Sequence, residues 1–321
     1  MNGRRGNRGI ALLLVLVIVA LLTSLLTDLT FSTMVDMRLS ETFRDSTRAY
    51  YLAKGGINAG RMILQEDRNR YDSLDESWSK GVVDYPVGEG NVTIRIEDLD
   101  GRLAINGLVD GSNPQSIMVD RFYRLFVNLQ LDALADPAEL TAALIDWLDT
   151  DDDPYVEIHT DGQSLPVSGA EDLTYRSQPQ AYRCKNGPLE TLQELSLVKG
   201  FTPEIIKRIS PHLAVNGMLQ VNLNTASAEV LMALDLQISR ETAQAIIDYR
   251  QTAPIESVAQ LEAVLAPQDY VVFKTLANLE QLGVSSRIYR VEASALVNDG
   301  SRRLVAEVDK KSNKLLFLKV N

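Results

Sequence analysis

The feature that most constrains this chain is an apolar run close to its start, Ile10 to Leu26, interrupted only by Thr23 and Ser24. As an α-helix the run spans about 25 Å, near the hydrocarbon thickness of a bilayer. Arg4, Arg5 and Arg8 precede it, which keeps the basic side cytoplasmic and sends the rest of the chain across. A secretory signal peptide has the same two parts, but it also needs small residues at a cut beyond the apolar run. Leu21 to Asp28 offers no such pattern, and the small residue lies before the run, at Gly9. The apolar helix is therefore expected to stay with the mature protein.

Charge narrows the partners. The 321 residues carry 43 acidic and 32 basic side chains, a net charge of -11, and 45% are hydrophobic. There is enough apolar material for two folded units, and the mean field repels phosphate backbones, so no nucleic acid is expected as a partner. Cys184 is the single cysteine and His159 and His212 are the only histidines. An internal disulfide is excluded, as is a metal site built mainly from thiolate and imidazole.

Beyond the membrane, Leu39, Phe43, Tyr50, Ala53, Ile57 and Leu64 recur at helical spacing, while Arg38, Glu41, Arg44, Asp45, Arg48 and Lys54 take other faces. The helix is predicted to continue. Gly55-Gly56 is its weak point, at about 1 kcal/mol per glycine, and a bend is expected there. Val82 to Val87 and the alternating Val92, Ile94 and Ile96 predict a hairpin around Gly88-Glu89-Gly90, with Arg102 to Asn106 as a further strand. Strand patterns return only at Tyr289 to Val297, Leu304 to Val308 and Leu315 to Val320. The class is α+β: a long N-terminal helix on an antiparallel sheet, interrupted by a large inserted all-α domain. The parts are residues 1–9, a leader; 10–65, the membrane segment and spine helix; 66–109 and 284–321, the two pieces of the sheet domain; and 110–283, the insertion. Arg121 to Leu131 and Pro137 to Leu148 read as helices within it, and Leu192 to Ile209 parallels Ala228 to Ile247 as an internal repeat.

That repeat carries the alternative function. Val221-Asn222-Leu223-Asn224-Thr225-Ala226-Ser227, with Ile246-Ile247-Asp248-Tyr249-Arg250, looks like a helix-hairpin-helix unit of a membrane-anchored DNA-uptake protein. Such units bind phosphate through a glycine-bounded hairpin in a basic setting. Here one unit has only Gly200 and the other, Asp235 to Ser239, has no glycine. Asn224-Thr225-Ala226-Ser227 is read as helix N-capping. Catalysis is not expected either: Ser164 and Ser168 lie near His159, but no G-x-S-x-G elbow is present.

Asp149, Asp151, Asp152 and Asp153 close one predicted helix, and Glu157, Asp161, Glu171 and Asp172 follow in a segment without lysine or arginine. Like charges this dense sit badly at a helix C-terminus, so folding them over Trp147 and Tyr155 calls for a cation. Hard oxygen ligands suit calcium better than zinc. The loop is no EF-hand, since Pro154 stands where the glycine belongs.

Arg8-Gly9-Ile10-Ala11-Leu12-Leu13 resembles a type IV prepilin leader, which a prepilin peptidase cuts after the glycine. Leu14 replaces the glutamate that most pilins carry five residues after the cut; an unpaired carboxylate in a membrane is costly, and its lack suits a first subunit. With Ala49-Tyr50-Tyr51-Leu52-Ala53, Asp146-Trp147-Leu148-Asp149 through Pro154, Gly169-Ala170-Glu171-Asp172, Val198 to Thr202 and Val221 to Ala226, the chain resembles the minor pseudopilin K family of the general secretion pathway. The resemblance implies a pseudopilin fold in the inner membrane with its bulk in the periplasm, cleavage between Gly9 and Ile10, and methylation of Ile10. It implies a filament-tip role in type II secretion, with minor pseudopilins I and J, and H, as partners. It also implies structural calcium, with Asp149, Asp151, Asp152, Asp153, Glu171 and Asp172 as the candidate ligands.

Overall fold

The computed structural model describes residues 7–321; residues 1–6 of the expected leader lie outside it. One helix, α1 (Asn7–Glu66), runs unbroken for 60 residues, about 90 Å. Its first part is long and apolar enough to cross a membrane and is not buried against any of the described residues. Its last part lies along a five-stranded antiparallel sheet of consecutive strands β1 (Val82–Val87), β2 (Gly90–Asp98), β3 (Ile288–Val297), β4 (Gly300–Asp309) and β5 (Lys314–Val320).

Ala49, Ala53, Ile57 and Leu64 of α1 pack against Val92, Ile94 and Ile96 of β2, Val291, Ala293 and Ala295 of β3, and Leu304, Ala306 and Val308 of β4. The period of two in the strands and of 3.6 in the helix thus meet in one core. Leu39 and Phe43 belong to the same helical spacing but are 64% and 76% exposed, because the sheet does not extend beneath them. Asp45, assigned to a polar face, is buried, accepting hydrogen bonds from Arg44 Nε at 2.9 Å and Asn298 Nδ2 at 3.0 Å. Gly55-Gly56 does not interrupt the helix. A Cβ on Gly56 would stand 2.9 Å from Ala293 Cβ, and one on Gly60 2.5 Å from Val291 Cγ1. These glycines let the helix lie close on the sheet, which offsets their low helix propensity.

Between β2 and β3 the chain leaves the sheet for residues 99–287. This excursion is wider than the expected 110–283, because Leu103, Ile105 and Leu108 already belong to the second hydrophobic core. The strand expected at Arg102 to Asn106 reduces to Leu103–Ala104, paired in parallel with Leu213–Ala214 and not with the sheet. The main helices here are α2 (Ser116–Asn128), α3 (Pro137–Leu148), α4 (Pro203–Ile209), α5 (Ala228–Leu234), α6 (Arg240–Thr252) and α7 (Pro267–Asn278).

The internal repeat exists, in a different register from the expected one. Asn106 receives the Leu189 N–H at 2.8 Å and donates to the Leu189 carbonyl at 2.9 Å; Asn224 does the same with Ile255, at 2.9 Å each way. Directly after each partner comes a capping box, Thr191 with Glu194 and Ser257 with Gln260, opening a 3-10 turn. Pro188-Leu189-Glu190-Thr191 matches Pro254-Ile255-Glu256-Ser257, and Ala143-Leu144-Ile145-Asp146-Trp147 matches Ala245-Ile246-Ile247-Asp248-Tyr249. Each copy closes on a two-residue parallel ladder, Leu103–Ala104 with Leu213–Ala214 and Val221–Asn222 with Leu282–Gly283. The sequence comparison paired the wrong members because both copies contain short helices around turns, and the inter-element hydrogen bonds distinguish them.

The second copy is joined to the sheet by a buried polar knot. Asp98, at the end of β2, accepts from the hydroxyls of Ser286 and Thr225, from Asn222 Nδ2 at 3.1 Å and from the Asp100 N–H at 2.8 Å. Asn222 also donates to the Asp72 carbonyl at 2.9 Å. Ser227 alone performs the N-capping expected of the Asn224–Ser227 stretch; Asn222 and Thr225 hold the two units together.

Candidate functional site

α3 begins with Asp136 capping the Ala138 N–H at 2.8 Å and Pro137 in the first turn, and it is buried on nearly every side. That places Asp146 in its last turn at 0% exposure and Asp149 at its C-cap, where the helix dipole disfavours a negative charge. Glu171 arrives from the far end of the acidic loop. One oxygen from each of Asp146, Asp149 and Glu171 lies within 4.8 Å of the others.

Asp146 is fixed by the Tyr155 N–H, 3.0 Å from Oδ1, and by the Ala170 N–H on Oδ2. Gly169 makes this approach possible: a Cβ there would stand 2.0 Å from Asp146 Oδ2 and 2.7 Å from the Tyr155 nitrogen. By contrast, Asp149 Oδ1 and both carboxylate oxygens of Glu171 are buried with no hydrogen-bond partner. Burial first, and the neighbouring carboxylates second, push the three acids to about 6 for Asp146, about 7 for Asp149 and about 8 for Glu171, against the backbone donors that hold Asp146. Orphaned buried oxygens in an all-carboxylate set are what a hard cation such as calcium requires.

Of the six ligands expected, Asp149 and Glu171 are brought together. Asp151 lies near enough for its charge to act on both Asp146 and Asp149, while its Oδ1 accepts the Asp153 N–H at 3.0 Å. Asp152 accepts from Asn186 Nδ2 at 3.0 Å, and Asp153 is exposed. Asp172 is turned to Arg176, 2.7 Å away, and to the Cys184 N–H. Asp146 was missed. Its spacing, three residues before Asp149 on one helical face, is its only trace in the sequence and does not set it apart from Asp248 of the second copy.

The repeat shows what the loop does. Asp248 of the second copy is the counterpart of Asp146, but there α6 passes almost directly into Pro254, and Asp248 stays exposed with Gln244 Nε2 at 2.7 Å. In the first copy the segment between Asp149 and Pro188, with its hairpin Glu157–Thr160 and Gln163–Pro166, covers the helix end. Arg124 clamps this hairpin through Asp161 and reaches the carbonyls of Ala233 and Leu234 in the second copy. Trp147 and Tyr175 stack edge to face at 5.1 Å beneath it.

The other expected sites resolve simply. Ser164 meets His159 Nδ1 at 3.2 Å and also Glu157, all on an exposed hairpin that excludes no water. At the helix-hairpin-helix turn, Gly200 is exposed, a Cβ on it would stand 2.9 Å from Leu140 Cδ2, and Lys199 is engaged within the chain, donating to the Ser168 carbonyl at 2.9 Å. Gly9 and Ile10 lie within α1, and Leu14 is exposed on it.

Comparison with known proteins matches both halves of the excursion. Residues 101–217 and 221–285 each match a family model described as Type II secretion system (T2SS), protein K, and the two matches coincide with the two copies of the repeat. The Type II secretion system protein K of Pseudomonas aeruginosa is 31% identical over 257 residues, covering 77% of this chain and 73% of that protein. The Klebsiella pneumoniae protein of the same name is 28% identical over 81% of this chain and 79% of its own length, and that of Aeromonas hydrophila 25% identical over 99% and 98%. A chain in the crystal structure of the GspK-GspI-GspJ complex from the enterotoxigenic Escherichia coli type 2 secretion system shares the fold, with a TM-score of 0.64, 19% identity, and coverage of 90% of this chain and 99% of that one. On the paired domain matches and the Pseudomonas relative, the chain belongs to the type II secretion system protein K family.

Proposed function

We propose that this chain is the minor pseudopilin that starts the type II secretion pseudopilus and stays at its tip, supporting export of folded proteins across the outer membrane. The observation that carries the reading is α1: its first part is bare and apolar while its last part is held rigidly to the sheet, so a membrane span and a filament spine are one continuous rod. Prepilin peptidase cuts between Gly9 and Ile10, Ile10 is methylated, and the folded part lies in the periplasm beneath an inner-membrane anchor. Leu14 supports the tip position, since a subunit with no neighbour beyond it has no ammonium for a glutamate to pair. The likeness to the GspK-GspI-GspJ assembly supports minor pseudopilins I and J as partners, and H is a further partner in this reading. The role is structural and not enzymatic.

Calcium belongs to this reading. Asp146, Asp149 and Glu171 would hold it, with Asp151 the nearest further carboxylate, and the ion would supply the positive charge that these acids lack. A photocrosslinker at Met34, on the exposed face of α1, tests the assembly in intact cells at native expression. Crosslinks to pseudopilins I and J are expected; crosslinks mainly to the major pseudopilin, with label spread along the filaments, would overturn the tip position.

A further inference from the structure

The two edges of the sheet are built differently. β1 is blunted: its register breaks between Val82 and Tyr85, Asp84 has φ 50° and turns its N–H to Thr93 Oγ1, and Pro86 has no donor. β5 has one register shift, at Leu316, but its pairing is regular from Phe317 to Val320 and it holds neither a proline nor a left-handed residue. It pairs with β4 alone, and Leu315, Leu316, Leu318 and Val320 are all exposed. Arg303 and Asn321 exchange both backbone hydrogen bonds, so by antiparallel alternation Lys319 and Phe317 also bond inward, while Leu318 and Val320 point their N–H and C=O groups outward. On the α1 side of the sheet, Leu315, Leu318 and Val320 continue the apolar rows of Val308, Ala306 and Leu304 past the edge of the helix. On the opposite side the same strand carries Lys314 and Lys319.

Charge identifies what fits. After Asp309 the sequence has Lys310, Lys311, Lys314 and Lys319 and no acidic residue, in a protein of net charge -11. Lys310 is paired, but among the described residues Lys311, Lys314 and Lys319 make no ion pair. A second copy of β5 would bring more lysines to the same face and no acid, which like-charge repulsion across strands disfavours. We infer that β5 is a docking edge for an extended segment of another protein whose residues alternate apolar and acidic, the apolar ones covering Leu315, Leu318 and Val320 and the acidic ones facing Lys314 and Lys319. The segment adds a sixth strand, with main-chain hydrogen bonds supplying affinity and the lysines selecting the partner.

Full-length protein in detergent micelles is the material for the test, and amide hydrogen exchange is the readout. The probes are two capped peptides matching the 7 residues of β5 in length, one alternating valine and glutamate, the other valine and lysine. At saturation the glutamate peptide slows exchange at Leu318 and Val320 by about tenfold or more, and the lysine peptide leaves it unchanged. Leu318→Pro removes an outward donor without touching the β4 ladder and abolishes the effect; the double variant Lys314→Glu, Lys319→Glu transfers it to the lysine peptide. Equal slowing by both peptides, slowing by neither, or protection that rises with protein concentration alone, as pairing between copies would give, each overturns the inference. None of these outcomes depends on the tip position or on calcium.

Discussion

Two triads of carboxylates, each gathered near the end of a different helix, solve the same electrostatic problem differently. Asp67, Asp72 and Glu76 converge where α1 ends, and Lys310 supplies the cation, 2.6 Å from both aspartates. Glu76 is occupied by the Ser73 N–H at 2.7 Å and the Trp78 indole at 3.0 Å. Asp146, Asp149 and Glu171 converge at the end of α3 with orphaned oxygens and, among the described residues, no ion pair to lysine or arginine. Geometry alone would make both of them metal sites. What separates them is whether the fold brings in a protein cation, because a buried carboxylate cluster persists only with a positive partner or with protons.

The largest expected effect comes from removing the metal. With free calcium about a thousandfold above its dissociation constant, chelation lowers the unfolding free energy by about 4 kcal/mol. Urea unfolding of the full chain in micelles checks this, and an unchanged midpoint would erase the distinction between the triads. Lys310→Met takes the counter-ion from the other triad and costs about 3 kcal/mol, with no rescue by added calcium because Glu76 is already engaged. Rescue by calcium would show the two clusters to be interchangeable. Gly169→Ala forces a methyl group onto Asp146 Oδ2, at about 2 kcal/mol, and weakens calcium uptake measured by titration calorimetry; normal uptake would separate the loop's fit from the ion.

Smaller effects sharpen the contrast. Asp248→Asn, at the unloaded counterpart of Asp146, changes stability by less than about 0.5 kcal/mol and leaves calcium binding intact. The last test is alkaline. Burial lowers the Lys310 pKa, but its bonds to Asp67 and Asp72 outweigh this and hold it above its ordinary value; the Tyr289 ring also faces the ammonium, 5.7 Å away. A folded value above the unfolded one means a contribution complete below about pH 10.5 and lost as pH rises through the folded value. The stability difference between the native chain and Lys310→Met is therefore constant up to about pH 10.5 and shrinks over the range above it. A difference constant across that range would remove Lys310's charge from the comparison.

Local pattern made much of this legible. Pro137 to Leu148 is a helix with the bounds that its periodicity and cap indicate, and the hairpin of β1 and β2 turns where Gly88 and Gly90 place it. Asp149 and Glu171 were recoverable from the density of acids and the absence of basic residues between them. Asp146 was not, because as one polar residue in an apolar helix it reads like Asp248 of the other copy. Leu39 and Phe43 misled for the related reason that helical spacing identifies a face but not whether anything covers it.

Residues close together in the chain were enough to give the long apolar N-terminal helix, the α+β alternation, the interrupted sheet and the crowding of acids around Asp149. Only the tertiary structure decided the register of the duplication, which depends on Asn106 reaching Leu189, 83 residues on, and Asn224 reaching Ile255. It alone showed that Lys310, 238 residues from Asp72, pairs with one acidic triad, while among the described residues the other makes no ion pair. Pairings across such separations follow from tertiary packing, and local propensity carries no trace of them.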